Sequence, residues 1–371
     1  LIYLRIPLAG NEANISQRVG VNQVAFELLH HLAKLKTKHK FVVFLKNRPL
    51  PDLPPTSNNF TYEVFGPTKA WVLTGLTMRL LRSPRPDVLF TPSHYIPLVS
   101  PVKRVFAIMD LSYEKFGLEY FTQYDLNQLR RWTAQSAKKA KRIITISEYT
   151  KKDIAEVYNT SPDKIDVVYP GYDQELFHPR IPLTKQQQVR QKYGITGKYF
   201  VYVGTLQPRK NIANLIKAFS RLGGGTKLVI VGKKGWLFEE IFKVVKRYKL
   251  EKKVIFTGFV ESSDLPALYK SSVAYVLPSL YEGFGIPVIE AQACGALTVV
   301  SKVSSLPEVA GDAAIYINNP RSVDHIAEGL REALSLPRLK RAQRIKQGKQ
   351  NAARFSWDQA AKKTLDVLTN L

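Results

Sequence analysis

Short apolar runs alternate with amphipathic stretches along nearly the whole chain. Residues 1–8 read as a first strand, followed by a polar loop from Gly10 to Gly20. Val21, Val24, Ala25, Leu28, Leu29 and Leu32 then recur at helical spacing. Phe41 to Leu45 is a continuous apolar run of the kind a fully buried strand shows. Further strands are expected at 61–65, 88–91, 105–108, 143–146 and 166–169, with helices around 120–139 and 148–158. A Pro-Gly turn at Pro170-Gly171 and the segment Phe177 to Pro182 interrupt the pattern and read as an interdomain linker. A second series follows, with strands at 199–203, 227–231, 254–257, 273–277, 297–301 and 314–317. Its helices are expected at about 211–222, 237–248, 262–271, 286–294, 321–334 and 337–353, with a last one at 357–370.

Strands of this length alternating with helices imply parallel sheets covered on both faces. Two such series predict an α/β protein with two Rossmann-like domains. Residues 1–175 form the first and 176–356 the second. Ligands of such sheets bind at the carboxyl ends of the strands, so the loops after strands are where chemistry is sought, and the cleft between the domains is the natural site.

Composition narrows the class. The 371 residues suffice for two ordinary domains, and 45% are hydrophobic. No apolar run reaches the roughly 18 residues a membrane span needs. Cys294 is the sole cysteine, which excludes an intrachain disulfide or a cysteine metal cluster and suits a reducing, cytoplasmic compartment. Leu1 is not a start methionine and leads straight into a strand-like run, so native residues or a removed signal upstream stay open. The formal charge is +25, with 24 basic against 16 acidic residues in 1–175 and 31 against 14 in 176–371. Residues 331–363 hold ten basic side chains and two acidic ones. Such a balance favours anionic partners, among them nucleotide phosphates and phospholipid surfaces, although a solvated basic helix explains it equally well.

The candidate chemistry clusters after strands. Tyr281-Glu282-Gly283-Phe284-Gly285-Ile286-Pro287 leads from a strand into a helix that carries Glu290. Gly283 and Gly285 allow backbone amides to approach a ligand, and Pro287 suits the first turn of a helix whose free N–H groups bind anions. The carboxylates of Glu282 and Glu290 can accept from hydroxyls. Gly204 to Asn211 places Arg209 and Lys210 after another strand, where two cations can neutralise a diphosphate leaving group; read alone, the pair suits a solvated loop at least as well. Val231-Gly232-Lys233-Lys234-Gly235 matches neither the dinucleotide fingerprint nor the P-loop. Val260, after Gly258 and Phe259, could put backbone groups beside a nucleobase. In the first half, His94 and Asp110 each follow a strand, and Gly20 opens the first helix; a cap or turn role is the plainer reading of all three. There is no Asp-x-Asp pair for a metal–diphosphate complex, no Gly-x-Ser-x-Gly elbow and no zinc helix.

Glu282 to Glu290 resembles the E-x7-E motif of retaining, nucleotide-sugar-dependent glycosyltransferases of the GT-B fold, family 4 type. Arg18-Val19-Gly20-Val21, Ser147 to Asp153, Tyr169 to Asp173, Gly204 to Asn211 and Leu306 to Gly311 resemble other segments of that family, in the family's order. The resemblance implies that Arg209 and Lys210 hold the donor diphosphate. Gly20, Gly204, Gly283, Phe284 and Gly285 would lie along the phosphates and sugar, with Val260 near the base. Glu282 would meet the sugar and Glu290 the ribose. It implies transfer of a hexose-type sugar to a hydroxyl of a glycan, lipid-linked or small-molecule acceptor with retention, the β-phosphate helping to deprotonate the acceptor. It further implies no cofactor beyond the nucleoside diphosphate sugar, no essential metal, and a last helix at 357–371 that crosses back to the first domain. Many relatives carry His-Asp where this chain has Met109-Asp110, and His94, one strand earlier, is the expected substitute. With the basic surface, the reading extends to peripheral contact with the inner face of an anionic membrane, and no nucleic acid is expected. The rival readings are an epimerase or phosphorylase on the same architecture, or a non-catalytic protein that binds nucleotides or nucleic acid.

Overall fold

A computed structural model describes residues 3–67 and 69–371. It divides into two compact units, Leu1–Gly171 with Ser356–Leu371, and Tyr172–Phe355.

The first unit is built on seven strands: β1 (Arg5–Ala9), β2 (Lys40–Leu45), β3 (Phe60–Val64), β4 (Val88–Thr91), β5 (Lys103–Ile108), β6 (Arg142–Thr145) and β7 (Ile165–Val167). All pairings are parallel, in the order β3-β2-β1-β4-β5-β6-β7. Leu1 and Ile2, the start of the expected first strand, lie outside the described residues. Strands such as β2 and β4 are buried almost throughout, whereas Phe60 alone is buried in the edge strand β3. Two helices of this unit start on side-chain caps. Thr122 Oγ1 accepts from Asp125 N and Ser147 Oγ from Thr150 N, at 3.1 and 3.0 Å.

The second unit has β8 (Tyr199–Val203), β9 (Lys227–Val231), β10 (Val254–Gly258), β11 (Ala274–Leu277), β12 (Thr298–Ser301) and β13 (Ile315–Ile317). These too are all parallel, in the order β10-β9-β8-β11-β12-β13. Both sheets are therefore doubly wound, with the order reversing between β1 and β4 and again between β8 and β11.

The last helix, Trp357–Thr369, packs on the first, Val21–Lys34, and so returns the chain to the unit in which it began. His31 Nδ1 lies 2.7 Å from Asp358 Oδ1 across that contact. Gly171 stands where the chain leaves this unit, and a Cβ there would fall 2.1 Å from the backbone nitrogen of Trp357. Only a glycine lets the outgoing and returning strands of chain pass so closely.

The strand expectations hold within one to four residues at each end. Several helices were not expected: Gly75–Leu81, Ser112–Phe116 and Leu183–Lys192. The stretch read as the loop Leu306 to Gly311 contains a short helix, Leu306–Ala310. The helix Leu183–Lys192 follows the proline-rich linker, and only Val189 of its residues is buried, so no apolar stripe announces it. Its tie to the unit is polar. Lys185 Nζ and Lys192 Nζ donate to the two oxygens of buried Asp264 at 2.6 and 2.7 Å, and Tyr193 Oη donates to Oδ2 at 3.1 Å.

Candidate functional site

In the second unit the strand order reverses between β8 and β11, and the loops that follow those two strands are the ones the sequence singled out. Ligands of open parallel sheets bind at such a reversal, outside the carboxyl ends of the strands. The β8 loop carries Arg209 and Lys210; the β11 loop carries Glu282. The three side chains meet. Lys210 Nζ donates to both Glu282 oxygens at 2.6 and 2.8 Å, and Arg209 Nη1 donates to Oε2 at 3.0 Å. Ser279 Oγ adds a bond to Oε1 at 2.6 Å. Arg209 Nη1 also reaches the carbonyl of Tyr281, and Leu280 N donates to the carbonyl of Arg209.

The Glu282 side chain is only 5% exposed, against 16% for Arg209 and 15% for Lys210. Burial opposes its ionisation, but Lys210 and Arg209 outweigh burial and hold its carboxyl below the usual carboxylate range. The cluster thus brings two cations onto the Glu282 carboxylate in a largely water-excluded place. Charge-assisted bonds in such a place are stronger than at the open surface.

The backbone around the cluster is held in shapes that few residues tolerate. Asn211 sits in the left-handed region, φ 59° and ψ 30°, immediately after Lys210. Its Nδ2 donates to the carbonyl of Pro278 at 3.0 Å and to that of Pro320 at 2.6 Å, which ties the β8 loop to the β11 loop. Gly285, at φ 102°, turns the chain into the helix Ile286–Ala293, with Pro287 in its first turn. Gly204 and Gly232 stand at the ends of β8 and β9, and a Cβ on Gly232 would fall 2.0 Å from the carbonyl oxygen of Gly204.

Gly283 and Phe284 follow Glu282 directly. The Phe284 ring is buried edge-on against Phe355, at 5.3 Å between centroids, so its side chain belongs to the core. Glu290 lies in the helix after Gly285 and accepts from Tyr269 Oη at 3.1 Å. Val260 is buried just beyond β10.

In the first unit, Gly20 caps the helix Val21–Lys34 with φ 54°; a Cβ there would meet nothing within 4 Å, so the requirement is for the dihedral, not for space. It follows β1, and His94 follows β4, the two strands at which this sheet reverses. Asp110 follows β5 and its Oδ1 accepts from Ser112 N and Oγ at 2.9 and 2.7 Å. Burial lowers the His94 pKa and the Asp110 charge partly offsets this, so the two groups share one electrostatic neighbourhood. His94 Nδ1 is buried without a hydrogen-bond partner among the described residues. Met109, immediately before Asp110, is buried.

Several contributors escaped the sequence reading. After β12, Ser304 Oγ accepts from Glu282 N at 2.8 Å, and Ser305 Oγ donates to the Glu282 and Phe284 carbonyls at 2.9 and 3.1 Å. Glu12, in the loop between β1 and Gly20, has its pKa raised by burial against the pull of Lys46, and accepts from Asn22 Nδ2 at 2.8 Å. A serine pair or a lone glutamate in a polar loop gives no sequence signal; only the tertiary contact does. Among the described residues no group of three or more His, Cys, Asp or Glu could hold a metal ion.

Comparison with known proteins bears on the family and the fold. Residues 185–351 match the model of the glycosyl transferases group 1, and residues 19–176 that of glycosyltransferase family 4. O-antigen chain mannosyltransferase B of Escherichia coli is 33% identical over 257 residues, 67% of this chain and 66% of that protein. The serotype-specific mannosyltransferase WbdA of the same species is 30% identical over 258 residues, 68% of this chain but 31% of its own length. The match thus spans from a third to just under two thirds of these relatives. Anabaena HepE, solved with UDP-glucose, superposes with a TM-score of 0.78 at 17% identity over all of both chains, which bears on the fold. The two family models in tandem, the mannosyltransferase relatives and the pair of Rossmann-like sheets agree: the chain belongs to the family 4-type, group 1 glycosyl transferases of the GT-B fold.

Proposed function

We propose that this protein transfers a hexose, of mannose or glucose type, from a nucleoside diphosphate to a hydroxyl of a glycan or lipid-linked acceptor, with retention at the anomeric carbon. The observation that carries the reading is the convergence of Arg209, Lys210 and Glu282 at the reversal point of the second sheet. Arg209 and Lys210 bind the diphosphate and offset the charge that grows on it as the glycosidic bond breaks. The main chain at Gly283 to Gly285 and the first turn of the helix Ile286–Ala293 add N–H donors. Glu282, released in part from the two cations by the incoming phosphates, accepts from the donor sugar. Glu290 accepts from the ribose. His94 and Asp110 serve the acceptor, and no essential metal is required. Relatives named for mannosyl transfer to O-antigen chains support the sugar and acceptor class, and solved neighbours that hold UDP or UDP-glucose support the donor class.

No helix among the described residues is long and apolar enough to cross a membrane. The net charge of +25 supports peripheral attachment to an anionic, cytoplasmic membrane face, where a lipid-linked acceptor would be met.

A thermal-shift panel of nucleoside diphosphates and their sugars identifies the donor, since a ligand of the folded state alone raises its stability. Transfer assays with that donor then test the roles. Lys210→Ala is expected to cut turnover by about 100-fold or more, on the scale of a lost transition-state donor. Glu290→Ala is expected mainly to raise KM for the donor. Wild-type kinetics in both variants would overturn the reading.

A further inference from the structure

Beneath the donor loops lies a layer of three buried tyrosines, Tyr202 on β8, Tyr275 on β11 and Tyr269 in the helix Leu265–Ser271. Their hydroxyls differ in what they touch. Tyr202 Oη donates to the carbonyl of Thr205 at 3.3 Å. Tyr275 Oη is buried with no hydrogen-bond partner among the described residues. Tyr269 Oη donates to Glu290 Oε2 at 3.1 Å, twenty-one residues along the chain. Glu290 itself is only partly buried, and Tyr269 Oη ties its carboxylate from inside the protein.

The tether is rigid. The Tyr269 ring is fully buried, packed edge-on against Tyr275 at 5.5 Å and tilted against Phe177 at 6.2 Å. A ring so enclosed keeps one rotamer, and its hydroxyl keeps one position. A glutamate has three free torsions, and its carboxylate is fixed only if something holds it. Burial and the neighbouring Glu290 charge both push the Tyr269 pKa up, so this hydroxyl stays protonated and always donates.

We infer that Tyr269 is the positioning residue for Glu290: its buried hydroxyl holds one carboxylate oxygen so that the rest of the carboxylate is presented, already oriented, to the ribose hydroxyls of the donor nucleotide. The inference rests on the reading of Glu290 as the ribose acceptor. It assigns ribose selectivity to a residue that never touches the ligand, and it implies that the binding gain comes from order already present in the empty site.

The test measures, for the full chain, the affinities of UDP and GDP and of their 2′-deoxy and 3′-deoxy counterparts. For the wild type the better-bound ribonucleotide should exceed its deoxy forms by roughly tenfold or more, the scale of a hydrogen bond to a charged group. Tyr269→Phe keeps the ring and removes only the hydroxyl; the ratio should fall to roughly threefold or less as Glu290 loses this tether, with the unfolding temperature little changed. Tyr275→Phe is the control. It removes an equally buried oxygen from the same layer, one bonded to nothing, and should leave the ratio at the wild-type value. Full wild-type discrimination in Tyr269→Phe overturns the inference while the donor reading stands, and so does an equal loss in Tyr275→Phe, which would mark a general effect of the layer. A wild type that binds both ribonucleotides without discriminating against the deoxy forms overturns the inference together with the role given to Glu290. One that binds neither ribonucleotide overturns the donor reading and the inference with it.

Discussion

Asn211 offers the sharpest test of how the cation pair is held in place. It is 7% exposed, it occupies the left-handed region, and its amide is the cross-link between the β8 loop and the main chain at Pro278 and Pro320. Asn211→Ala removes both bonds and leaves two carbonyls of buried prolines without this donor, at about 1–1.5 kcal/mol each. It also puts an alanine where φ is positive, at about 1 kcal/mol relative to asparagine, which tolerates that region. The sum is about 3–4 kcal/mol, read as a lower midpoint at unchanged slope in denaturant unfolding. Asn211→Gly separates the two causes: it relieves the dihedral and keeps the loss of both bonds, so it should recover about 1 kcal/mol. Because Arg209 and Lys210 immediately precede Asn211, diphosphate affinity should fall in both variants. A loss under about 1 kcal/mol in Asn211→Ala would refute the clamp, and equal losses in the Ala and Gly variants would refute the share assigned to the dihedral.

Further outcomes follow from the same structure. Gly232→Ala drives a Cβ to within 2.0 Å of the Gly204 carbonyl at φ 146°, backbone against backbone, and should cost at least about 2 kcal/mol in denaturant unfolding; a neutral variant would show that the glycine row is not close-packed. Asp264 should supply acid-labile stability. Burial raises its pKa, but the bonds from Lys185, Lys192 and Tyr193 outweigh burial and bring it down to about 2. A depressed carboxylate stabilises the fold above its unfolded pKa and loses that contribution as pH falls through the folded one. With half-exposed lysine partners the effect is about 1–2 kcal/mol, lost between about pH 4 and pH 2, and Asp264→Asn should show a correspondingly flatter pH–stability profile over that window.

Most of the fold could be read from the sequence because both sheets are parallel and buried. Runs such as Tyr199 to Val203 and Lys227 to Val231 are apolar nearly throughout, and their observed ends coincide with the ends of the runs. The helix Leu183–Lys192 was not legible because it is held by charge, through Asp264 some seventy residues away, and not by an apolar stripe. The same division holds at the candidate site. Arg209, Lys210 and Glu282 stood out as chemistry-bearing side chains after strands. Their mutual contact did not, since it depends on β8 and β11 being neighbours in the sheet although 70 residues separate the loops. The helpers Ser279, Ser304, Asn211 and Tyr269 are common residue types whose roles arise only from where the fold brings them.

The central claim is that Arg209 and Lys210 form a diphosphate site, and the affinity of UDP and GDP against uridine and guanosine tests it most directly. For the wild type the diphosphate group should add at least about 100-fold to the affinity of the better-bound nucleoside. In Arg209→Ala and in Lys210→Ala that increment should shrink by about tenfold or more, while nucleoside affinity stays within about twofold of the wild type. An increment left intact in both variants would contradict the account.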